Sequence, residues 1–93
     1  MIDPPEMARS LLDRFESTPI GTDAEVTLMG FTIRLSWDCL QVLHAGSGTV
    51  ARERRIYHMG RRMKLLHIEH YITWAVRVAT KETLSALKKL GDI

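Results

Sequence analysis

The chain has 93 residues, 45% hydrophobic and 26% charged, with one cysteine and a formal net charge of +2. These values exclude an intrinsically disordered chain, an internal disulfide and the strong positive charge of a dedicated DNA-binding domain, and they predict one domain over residues 1–93. Met1-Ile2-Asp3-Pro4-Pro5 lacks the basic start and apolar run of a secretory signal, and no apolar stretch reaches bilayer length, so a cytoplasmic location is expected.

The first element is a helix over about residues 4–16. Asp3 supplies an N-cap, Pro4 fits the first helical position, and Glu6 follows three residues after the cap. Met7, Ala8, Leu11, Leu12 and Phe15 recur at helical spacing, and Ser17-Thr18-Pro19 ends the run. From Glu25 the period changes to two. Val26 and Leu28 alternate with polar neighbours, and after Gly30 so do Phe31, Ile33, Leu35 and Trp37. The parity switch across Met29-Gly30 requires a tight turn or a β-bulge.

Residues 38–44 fit either period: Leu40, Val42 and His44 alternate, while Cys39, Leu40 and Leu43 sit at helical spacing. Ala45-Gly46-Ser47-Gly48 is a turn. In 49–64 a strand is favoured, with Val50, Arg52, Arg54 and Ile56 on one face; a helix lining up Ile56, Met59, Met63 and Leu66 is the alternative. Seven alternations from Leu66 to Val78 predict a long strand with Ile68, Ile72, Trp74 and Val76 turned to the core. A helix with Leu65, Ile68, Ile72, Ala75 and Ala79 as its stripe competes with it. Thr80 then caps a last helix carrying Leu84, Leu87 and Leu90, with Lys88 and Lys89 near its end and Gly91 at the stop. The order predicts an α+β fold: an N-terminal helix, an antiparallel sheet of three to four strands and a C-terminal helix.

No pattern in the sequence prescribes catalysis. His67 and His70 fall on opposite faces of a strand, and with Cys39, His44 and His58 they lack the paired spacings of a zinc site, so no metal and no cofactor is expected. Cys39 beside Leu40 reads as a small core residue, and Gly46-Ser47-Gly48 lacks the lysine and helix of a phosphate loop. An enzyme is not expected.

Charge is the informative feature. Residues 1–38 carry about −4 and residues 39–93 about +6. Arg52 to Lys64 holds six bases against one acid, five of them arginines, which offer bidentate donors to carboxylates and phosphates. Arg52, Arg54, Arg55, Tyr57, Arg61, Arg62 and Lys64 are therefore the expected partner-binding residues. The expected function is a small non-catalytic adaptor, inhibitor or regulator meeting an acidic protein surface through this basic strand–turn segment. Nucleic acid is the alternative partner, because Tyr57 and His58 among the arginines suit stacking on single-stranded bases. No helix-turn-helix, zinc-finger or RNP-type motif supports that alternative. The run also fits a solvated edge that discourages aggregation, or a complement to the acidic N-terminal helix within the fold or across a homodimer.

Overall fold

The computed structural model describes residues 2–91. Its order is α1 (Pro4–Ser17), β1 (Ala24–Leu28), β2 (Phe31–Leu35), β3 (Cys39–His44), β4 (Val50–Arg55) and α2 (Arg61–Gly91). The strands form one antiparallel meander in the order β1-β2-β3-β4, and the two helices pack beside each other on one face of it. The α+β layout expected from the sequence is therefore present, with four strands.

α1 forms where the capping residues place it. The Asp3 carboxylate accepts from the Glu6 backbone N–H, and at the far end Thr18 donates through both its backbone N–H and its hydroxyl to the Phe15 carbonyl. Ala8, Leu11 and Leu12 are buried, with Met7 and Phe15 packed at the margin. β1 and β2 join through Met29 and Gly30 at φ +49° and +86°, the two positive values of a type I′ hairpin, so the parity switch is a tight turn. Ala24 and Leu28 of β1 with Phe31, Ile33 and Leu35 of β2 thereby reach the same covered face. Trp37 does not continue this alternation; it lies in the connection to β3 and is 66% exposed.

Methionine gains nothing from the left-handed conformation that the hairpin demands at position 29. Met29→Asn keeps the turn and gives it the preferred Asn-Gly pair. A gain of about 0.5–1 kcal/mol is expected, read as a rise in Tm of several degrees. An unchanged or lowered Tm would mean that the half-exposed methionine side chain contributes more than its backbone costs.

Both ambiguous segments, 38–44 and the part of 49–64 up to Arg55, are strands, and one irregularity changes their reading. The register slips between Val42 and Leu43, so Val50 pairs with Leu43 while Arg52 pairs with Val42 and Arg54 with Leu40. Val50 is thus not on the Arg52–Arg54–Ile56 face.

The strand expected over 66–78 is not formed. Residues 61–91 are one helix, and the expected last helix is its second half. Gly60 precedes this helix and the only other glycine after it is Gly91, so nothing breaks the run. Its buried residues Ile68, Tyr71, Ile72, Ala75 and Ala79 follow the 3.6 period. A thirteen-residue strand would also find no partner of its length, because the strands present have five or six residues. Ile68 and Ile72 are buried as expected, whereas Trp74 and Val76 are only partly covered. Thr80, expected as a cap, lies inside the helix. Beyond Ala79 every described residue of α2 is exposed, so about three turns project past the sheet. Among the described residues no helix is long and apolar enough to cross a membrane.

Candidate partner-binding groove

β4 is an edge strand, and its pairing decides where the basic segment points. Because Arg52 and Arg54 lie opposite Val42 and Leu40, whose side chains are buried in the core, both arginines project to the helix-covered side. Arg52 is half-buried there, its guanidinium 5.3 Å from the centroid of Tyr71 and 5.4 Å from that of Trp74. Two cation–π contacts fix a side chain that would otherwise be mobile, and Trp74 is itself set edge-on against Phe31 at 5.5 Å. Arg54 remains exposed. Between β4 and α2 lies an open groove of about 370 Å³ lined by Arg52, Arg54, Met63, Leu66, His67, His70 and Tyr71.

The groove is lined by basic groups and carries no acid. Two guanidinium groups stand opposite two imidazoles, and none of the lining residues is a carboxylate. His67 ionises below its ordinary range, first because partial burial penalises the imidazolium and then because Arg54 and His70 beside it disfavour a further positive charge. A carboxylate entering the groove would reverse that penalty.

The other expected residues are dispersed. Arg55 projects to the opposite face, paired with Cys39. Tyr57 is exposed in the β4–α2 connection with its ring edge-on to His58. Arg61 at the start of α2 is held by two carboxylates of α1, Asp13 at 2.6 Å and Glu16. This pairing joins the acidic N-terminal helix to the basic segment within one chain. Arg62 is exposed and Lys64 partly so. The structure therefore gathers Arg52 and Arg54, and adds His67, His70, Tyr71 and Trp74, which were not among the expected binding residues. Their signal was present: positions 67, 70, 71 and 74 follow helical i, i+3, i+4, i+7 spacing.

His67 and His70 are not divided between two faces, as a strand would divide them; on α2 both line one groove. Among the described residues no group of three or more His, Cys, Asp or Glu side chains could hold a metal ion. Cys39 is also displaced from its expected place in the core. It lies half-buried on the outer face of the sheet, its thiol donating to the Glu53 carboxylate at 3.2 Å. Burial first, then the hydrogen bond and charge of Glu53 with that of Asp38, push its pKa up to about 11. The thiol is expected to alkylate at pH 8 roughly a hundredfold more slowly than an unperturbed cysteine. Glu53→Gln should restore part of that rate in an iodoacetamide time course, the share owed to burial and to Asp38 remaining. Fast alkylation of the unaltered protein would contradict this environment.

Comparison with protein families, curated proteins and solved structures finds no match to this chain.

Proposed function

We propose that the protein is a small non-catalytic interaction module, an adaptor, inhibitor or regulator, that binds an acidic protein surface through the β4–α2 groove. One observation carries this reading. An open edge strand turns two arginines toward a helix, beside two histidines and an apolar floor, with no carboxylate among the lining residues to satisfy them. Guanidinium groups bind carboxylates in bidentate geometry, and the buried Tyr71 ring with the half-exposed Met63 and Leu66 gives the site an apolar flank that a bound partner would cover.

The same placement disfavours a nucleic-acid track. Phosphate recognition draws on several bases aligned along one surface, and here Arg55 lies on the opposite face and Arg61 is neutralised by α1. The test is recovery of tagged protein from its native host at moderate salt, with and without nuclease. An acidic partner should persist through nuclease, be lost with Arg54→Glu in a variant whose circular dichroism is unchanged, and survive the paired control Arg55→Glu/Arg62→Glu. Retention by Arg54→Glu would remove the groove from the interaction. Loss on nuclease treatment would assign the partner to nucleic acid.

A further inference from the structure

The two edges of the sheet are treated differently. At β1 the edge is attended by α1: the helix packs against that strand, and the Arg14 guanidinium donates to the main-chain carbonyl of Glu25. Among the described residues neither helix packs against β4 in this way. Among the described residues the hydrogen bonds made by β4 run to β3, through the strand ladder and through Glu53 to Cys39 and Gln41. Its outer edge is left with the unpaired N–H and C=O groups that invite another strand.

What lies above that edge selects the strand. A segment added beside β4 would have alternate side chains on the helix side, opposite Arg52 and Arg54 at the usual cross-strand separation of about 5 Å. These side chains would also meet Leu66 and His70 on the flank of α2. A second copy of β4 would bring arginine against arginine, and a wholly apolar strand would leave both guanidinium groups facing hydrocarbon. Carboxylates at i and i+2 satisfy both arginines. The residue between them falls on the outer face near Glu53, where a basic or neutral side chain is required.

We infer that the open edge of β4 takes up an extended acidic segment of a partner protein as a fifth strand, with two alternate carboxylates on Arg52 and Arg54. The inference rests on the acidic-partner reading above and specifies its mode: main-chain pairing supplies affinity, and the i, i+2 spacing of the acids supplies selectivity. The inward-facing arginines then act twice, blocking self-pairing of the edge and admitting the oppositely charged strand.

Four synthetic eight-residue peptides of equal net charge test it by titration calorimetry or NMR. One carries glutamates at alternate positions separated by threonine, valine and lysine. The second has the same composition with the glutamates contiguous. The third and fourth repeat the first with every second backbone amide N-methylated, one in each phase. The alternating peptide is expected to bind at least tenfold more tightly than the contiguous one. It should lose binding in one N-methylated phase only, and shift the backbone amide resonances of 50–55. Arg54→Glu should weaken it at least tenfold. Equal binding of all four peptides, all abolished by Arg54→Glu, would overturn strand addition while leaving an acidic-surface reading intact. No difference between the unaltered protein and Arg54→Glu for any peptide would overturn both.

Discussion

Ile72→Ala is expected to lower the stability of the folded domain by about 2–5 kcal/mol, more than truncation of any partly covered side chain on α2. Ile72 is fully buried on that helix, with Ile33, Leu35 and Val42 in the same core cluster. Removing three carbons there leaves a cavity that rigid strands on one side and a helix on the other cannot close. In a 93-residue domain this should lower Tm by at least about 10 °C, measured by thermal circular dichroism. Trp74→Ala serves as the comparison. As part of a core strand it would be the costlier change, but on α2 it is only partly covered and gives up one edge contact with Phe31 and one with Arg52. A loss of about 1–3 kcal/mol is expected. A larger loss for Trp74→Ala than for Ile72→Ala would place the tryptophan in the core after all.

The second large effect is on binding. Once a partner carboxylate occupies the groove, Arg54 is desolvated and its truncation leaves that carboxylate unpaired. Arg54→Ala is expected to cost about 2 kcal/mol, roughly thirtyfold in Kd, mainly through faster dissociation. Arg62→Ala, at an exposed position, should alter chiefly the association rate and its salt dependence. A pH dependence follows from His67, whose pKa is lowered in the free protein by burial and by Arg54 and His70. The other ionisable groups lining the groove are Arg52 on β4 with His70 and Tyr71 on α2, and no carboxylate is among them. A bound carboxylate raises the His67 pKa, so the complex takes up a proton. Affinity should rise as pH falls from neutral toward the free-state pKa of His67 and level off below it. His67→Gln should flatten the profile without abolishing binding. Affinity that falls over the same interval would mean that His67 does not face the bound acid.

How far these features were legible depended on whether two periods could be told apart. In α1 only one period fits, and an aspartate, two prolines and a glutamate mark where it starts. In β1 and β2 the change of parity at Met29-Gly30 has few structural solutions, and the hairpin is one of them. Residues 66–78 are different. They contain apolar residues at both alternate and helical positions, and β-branched Ile68, Ile72, Val76 and Val78 add strand propensity to what tertiary packing makes a helix. Two features favoured the helix: no glycine or proline from residue 61 to 90, and the unbroken series 68, 72, 75, 79. The groove was half legible for the same reason. Arg52 and Arg54 share a face in the strand reading of 49–64, but their companions on α2 scatter to both sides of a strand and converge only on a helix.

The meander has a consequence for how the chain reaches this state. Each strand pairs with its immediate neighbour in sequence, across connections of two, three and five residues, so loop closure within the sheet costs little entropy. The seam between α1 and α2, tied at Asp13, Glu16 and Arg61, instead joins positions more than forty residues apart. Such a topology places the slow event at the seam. The hairpins can begin to pair on local contacts alone, and docking the two helices across them completes the core that makes the pairing last.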